Sequence, residues 1–103
     1  MVSPSTAPVA GAASTSTVDA RHPQWVIQSF EFVLDVMATA GVPVEVVNAD
    51  GADHTLTDVD GSFEAYVDAD DSTLLTIDQP GTYAVWCRIH PDMRGTVVVE
   101  AVP

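Results

Sequence analysis

PGTYAVWCRIHPDMRGTVVV (80–99) is the stretch on which the reading of this chain turns. Pro80 and Gly81 mark a turn. TYAVWC (82–87) then reads as a strand carrying two aromatics, and TVVVEAV (96–102) as the strand that closes the chain. The residues between them include Pro91, Asp92 and Gly95, which suit a tight turn and not a helix. A loop that short, between two strands, brings Cys87, His90 and Met93 close together. Each follows the last by three residues, and Cys87 is the only cysteine in the chain.

The same texture extends upstream. QWVIQSFEF (24–32) is predicted as a strand with partial alternation through Val26 or Ile27, Phe30 and Phe32. VMATAG follows, and Gly41 supplies the turn into VPVEVVN (42–48), where Val42, Val44 and Val46 share one face. NADGAD (48–53) is a turn cluster and HTLT (54–57) a short strand. DVDG (58–61) turns again, SFEAYV (62–67) alternates Phe63, Ala65 and Val67, and DADDS (68–72) is an acidic loop before STLLTI (72–77). No window offers an amphipathic helix of three turns. About eight short strands, with turn signals roughly every 8–12 residues, specify an all-β chain, a sandwich or small barrel.

Composition narrows the function. With 103 residues there is room for one small domain. Asp and Glu number 15 against 3 Lys and Arg, none of them lysine, and the net charge is −12. That excludes nucleic acid, which needs a basic footprint, and anionic membrane surfaces. It is compatible with a basic protein partner, and equally with solvation in a salty medium, where the Debye length falls to about 3 Å at 1 M. A single cysteine makes no intrachain disulfide, and no C-x-x-C pair is present. No apolar run approaches the roughly 18–20 residues that span a bilayer. MVSPSTAPVAGAASTSTVDAR (1–21) has no basic start and no strongly apolar stretch, so it does not read as a signal peptide. Rich in Ala, Ser, Thr and Pro, it is expected to be a disordered tail or tether ahead of a domain over 22–103.

Thiolate and thioether are soft ligands, and imidazole suits copper, zinc or iron. One thiolate, two imidazoles and a weak axial thioether form the set that holds copper in an electron-transfer site. Cys87, His90 and Met93 supply three of these, leaving His22 and His54 as sources of the second imidazole. His22 stands where the tail meets the first strand with no other donor near it, so exposure is its default. His54 opens a strand placed to run beside the closing one and is the better candidate. The bland alternatives are that a lone cysteine is a small buried hydrophobe and a lone Met is core. Structural zinc prefers four N or S donors without thioether. NADGAD and DVDG lack the glycine and glutamate positions of a helix-flanked calcium loop and read as solvated turns. A Ser/His/Asp triad would have to borrow a metal ligand.

VVNADGADHTLT followed by PGTYAVWCRIHPDMRGTVVV resembles the cupredoxins, the small blue copper proteins, and within them the amicyanin and pseudoazurin-like group. The likeness covers roughly residues 24–102. It runs through Gly41, Val44, Val46, Asn48 and His54, then Pro80 to Tyr83, Cys87, His90, Met93 and Gly95. The resemblance implies a Greek-key β-sandwich holding one copper ion per chain. Cys87, His54 and His90 would form the trigonal plane, with Met93 as the weak axial ligand. Thr55 would tie the His54 strand to the Cys87 loop. Ile89 and Pro91, with Met37, would form part of an apolar patch around the His90 edge. It further implies a monomeric, non-enzymatic, one-electron carrier working outside the cytoplasm, in the periplasm or tethered to a membrane through its tail. The acidic surface predicts redox partners with a positively charged docking face. A tethered copper-binding or copper-delivery module is the alternative reading.

Overall fold

A computed structural model describes residues 22–102. The tail expected over 1–21 lies outside the described residues. Nine strands form among them, with no helix: β1 (Gln24–Gln28), β2 (Glu31–Val33), β3 (Ala38–Thr39), β4 (Val44–Asn48), β5 (His54–Asp58), β6 (Glu64–Val67), β7 (Ser72–Leu75), β8 (Gly81–Trp86) and β9 (Arg94–Glu100). They make two sheets, ordered β2-β1-β4-β7 and β3-β9-β8-β5-β6. The β1/β4 and β3/β9 pairs are parallel and the others antiparallel. The chain crosses between the sheets after β2, β3, β4, β6 and β7. This is the all-β sandwich that the strand count and turn spacing predict.

Alternation decides what lies inside. In β1, Trp25 and Ile27 are buried while their neighbours are not. In β4, Val44 and Val46 point in, joined by Leu75 of β7. Against them the second sheet sets Leu56, Ala65, Val67, Val85, Val97 and Val99. Fully burying a Val, Leu or Ile side chain stabilises by about 1.5–3 kcal/mol, so this cluster is the main support of the fold. Trp25 also satisfies its indole N–H, donating to the Val36 carbonyl at 2.9 Å.

Three details differ from the sequence reading. Residues 24–32 are not one strand, because the chain reverses at Ser29 and Phe30, both in the left-handed region with φ of 53° and 58°. A period-2 pattern runs through a two-residue hairpin turn unbroken, so it cannot reveal one that lacks Asn or Gly. Val42 lies in the turn before β4, exposed, instead of sharing the face of Val44 and Val46. β5 sits beside β8 and β6, not beside the closing strand β9. Gly41 does supply a turn, at φ 79°. Gly95 meets a different need: a Cβ there would lie 2.8 Å from Leu34 Cδ1.

Candidate metal centre

The first sheet ends near the candidate site at the β1–β2 turn and at Asn48, and the second at His54, Trp86 and Arg94. The loop 87–93 closes that end. Its backbone folds back on itself: the Met93 amide donates to the His90 carbonyl at 2.9 Å, and the Cys87 amide to the Met93 carbonyl at 3.1 Å. These two bonds convert sequence spacing into proximity. The turn predicted from Pro91 and Asp92 is therefore present and hydrogen-bonded.

His54 and Cys87 are fully buried and Met93 nearly so, while His90 is half-buried. His54 Nδ1 lies 3.7 Å from Cys87 Sγ. A metal held about 2.3 Å from sulfur and 2.0–2.1 Å from nitrogen, with the two set about 110–120° apart, would put the donors about 3.5–3.8 Å from each other. The observed separation fits that span. The His90 ring centroid is 5.0 Å from that of His54. Among the described residues no group of three His, Cys, Asp or Glu side chains draws together tightly enough to hold a metal by those types alone. The closed pair is His54 with Cys87; His90 does not close on them as a third donor of those types, and Met93 offers a thioether, outside that set. The donor set, two imidazoles, one thiol and one thioether, fits copper better than zinc.

Neighbouring residues prepare these donors. The Thr55 amide donates to Cys87 Sγ at 3.3 Å, which fixes the sulfur beside the start of β5. His54 Nε2 lies 2.9 Å from Asp50 Oδ2. A carboxylate only accepts, so Nε2 carries the proton and Nδ1 keeps a free lone pair facing Cys87. Asp50 Oδ1 and Oδ2 also accept from the Ser29 amide at 2.6 Å and the Phe30 amide at 2.9 Å. The Phe30 amide, above all, holds the Asp50 carboxyl below its ordinary value, with Ser29 and His54 acting the same way and burial opposing them.

Thr55 does join the His54 strand to the cysteine loop, its Oγ1 accepting from the Arg88 amide at 2.9 Å. The bond is part of a relay. Thr57 Oγ1 donates to Glu64 Oε1 at 3.2 Å, so its contact with Thr55 Oγ1 at 2.9 Å must be one it accepts. Glu64 in turn takes both contacts from Arg88 Nη1, at 2.9 and 3.1 Å. Polar side chains on the outer face of β5 are thus bonded throughout, which lets all five residues of that strand be buried.

His22 lies before β1, at the end of that strand away from the site. Roughly 20 Å of extended chain separates it from the Ser29 turn, so it stands apart from the donors. Around His90 a surface hollow of about 510 Å³ is lined by Phe30, Ile89, His90, Pro91, Asp92 and Met93. Ile89 and Pro91 occupy it as expected. Met37 is exposed but does not line it. Two contributors escape the sequence reading. Phe30 reads there as part of a strand, whereas its ring meets His54 and His90 edge-on at centroid distances of 5.0 Å each. Asp50 reads there as part of a solvated turn; its four-residue spacing from His54 is the one available signal.

This arrangement defines a class. The Cupredoxin-like domain sequence model matches residues 13–99, and the chain belongs to that family. Within it, the structure resembles amicyanin. The copper(I) form of an amicyanin mutant, a methionine replaced by alanine, shares 26% identity at a TM-score of 0.65, covering 78% of this chain and 83% of that one. Amicyanin from Paracoccus versutus shares 26% at 0.65, covering 82% and 87%. An oxidised amicyanin mutant, a proline replaced by alanine, shares 25% at 0.67, covering 82% and 88%. No curated protein matches the chain by sequence.

Proposed function

We propose that the protein is a one-electron carrier whose copper is held by His54, Cys87, His90 and Met93. The observation that carries this reading is the 3.7 Å approach of His54 Nδ1 to Cys87 Sγ, with Nε2 tied to a carboxylate and the thiol receiving an amide hydrogen bond. Bound copper supplies a Cu(II)/Cu(I) couple that takes one electron from a donor protein and gives it to an acceptor.

The residues around it act to keep the donors still. β5 fixes His54 and the Thr55 relay fixes the start of the 87–93 loop. Cys87 and Met93 are packed among the core side chains. Rigid donors limit the rearrangement that accompanies each electron, which is what a carrier requires. His90 is the donor that reaches the surface, beside Phe30, Ile89 and Pro91, so this apolar hollow is the natural exchange face. Four candidate donors from one chain, three of them buried, support a carrier over an enzyme, whose metal keeps a coordination position for substrate.

The partners we infer are redox proteins with a positively charged docking surface, complementary to the net charge of −12. We place this work outside the cytoplasm, on the family likeness. No helix among the described residues is long and apolar enough to cross a membrane.

Titration of Cu(II) into the apo-protein tests the reading. An intense blue absorption that saturates at one equivalent, bleaches with ascorbate and returns on reoxidation is expected. A colourless or pale complex would show that Cys87 does not ligate copper in this geometry, and a copper-holding or other binding role would replace the carrier.

A further inference from the structure

The β1–β2 turn is built oddly. Two consecutive non-glycine residues, Ser29 and Phe30, take left-handed backbone conformations. Two-residue hairpin turns of this kind normally use Asn or Gly, because a side chain is strained there. Strain of this sort persists when its surroundings hold it. Here the holder is one side chain. Asp50 Oδ1 accepts from Ser29 N and Oδ2 from Phe30 N, and Oδ2 also receives His54 Nε2. Asp50 is itself anchored, its amide donating to Asn48 Oδ1 at 2.9 Å and its carbonyl accepting from the Asp70 amide at 3.1 Å.

The side chain that this turn presents is Phe30. Left to itself, a phenyl ring at a hairpin tip would lie in water. Here it stays about half exposed but stands edge-on to both imidazoles, so that Phe30, His54 and His90 form a triangle with every centroid separation 5.0 Å. One carboxylate therefore fixes both the ring that covers the two histidines and the imidazole beneath it.

We propose that Asp50 is a positioning residue that seats Phe30 as an aromatic cover across His54 and His90, and whose fixed negative charge against His54 biases the site toward its oxidised state. The second half rests on the copper reading above, while the first does not. Charge sets the direction. A carboxylate bonded to a ligand imidazole stabilises the site carrying more positive charge, which is Cu(II) over Cu(I). The cover acts separately, by keeping water and small anions from the edge between the rings.

The test has a metal-free arm and a copper arm. In wild-type apo-protein, NMR is expected to show slow exchange of the Ser29 and Phe30 amides and nuclear Overhauser contacts from the Phe30 ring to both imidazoles. Random-coil exchange or absent contacts would overturn the cover, whatever copper does and without any variant. In the copper arm, Asp50→Asn is expected to shift the Cu(I)/Cu(II) ratio toward Cu(I) about tenfold at fixed ambient potential, which for one electron is about 59 mV. Asp50→Glu should restore at least half of it. Phe30→Ala removes the cover but not the charge. It should change the ratio by less than about twofold while speeding azide access to the Cu(II) form, read as a spectral change. A merely structural Asp50 would lower thermal stability in Asp50→Asn and leave the ratio within twofold, and that result overturns the electrostatic half. Should the wild type form no blue site, the carrier reading fails and the apo-protein NMR still decides the cover.

Discussion

Asn48 ends β4 with its side chain buried, and it bonds in three directions. Its Nδ2 lies 2.8 Å from the Ala52 carbonyl, 3.1 Å from that of Val67 and 3.2 Å from that of Asp68. Two amide hydrogens serve three acceptors, so about two bonds act at a time. Asn48 Oδ1 accepts the Asp50 amide as a third. At about 1 kcal/mol net for each, Asn48→Ala removes about 3 kcal/mol, and carbonyls left dry add to it. For a domain of this size, that lowers Tm by about 12–24 °C, at about 4–8 °C per kcal/mol. Guanidinium unfolding of the apo-protein, followed by far-ultraviolet circular dichroism, measures it without copper. Asn48→Asp sharpens the sign, because it keeps the shape but sets a carboxylate against carbonyl oxygens. That group's pKa must rise in the folded state, so the variant should regain stability as the pH falls through that raised value. A loss below about 1 kcal/mol in Asn48→Ala, or an Asn48→Asp variant indifferent to pH, would refute the argument.

Cys87→Ala deletes one buried sulfur and should fold with a loss near 1 kcal/mol, yet show no intense blue band with Cu(II). Met93→Leu conserves volume and should cost less than about 1.5 kcal/mol in urea unfolding. It should also raise the reduction potential, since losing a weak donor disfavours Cu(II) more than Cu(I). The Asp58 carboxyl is held below its ordinary value, chiefly by the Ser62 hydroxyl and further by the Ser62 and Asp60 amides. A lowered folded pKa gives stability that is complete above the ordinary aspartate range, near pH 4, and lost as pH falls through the folded value. Asp58→Asn should therefore weaken the protein at pH 7 and narrow its gap between pH 7 and pH 3. The Arg88–Glu64 pair is substantially exposed, with relative side-chain exposures of 58% and 36%. A double-mutant cycle should give a coupling below about 1 kcal/mol that shrinks with added salt.

The amino-acid sequence by itself determined the material of the fold and the ligands to look for. Alternation in 44–48 and 63–67 marks the faces that become core, because a strand repeats every two residues wherever it lies. Turn residues at 48–53, 58–61 and 79–81 punctuate the strands, because Gly, Pro, Asn and Asp carry their backbone preferences with them. The C-x-x-H-x-x-M spacing is also local, and two backbone bonds within residues 87–93 complete it. What only the tertiary structure decided is non-local. His54 meets Cys87 across 33 residues because β5 lies beside β8 and not β9, a strand order within one sheet that only long-range pairing decides. Phe30 reaches the same site from the opposite sheet, through a turn that lacks the Asn or Gly such turns normally use. Asp50 looks like any solvated aspartate in an acidic chain until two amides from that turn point at it. A carboxylate's role depends on the donors that surround it, and here those donors come from residues 20 and 21 positions away in the chain. Folding alone brings them to Asp50, so sequence periodicity holds no trace of them.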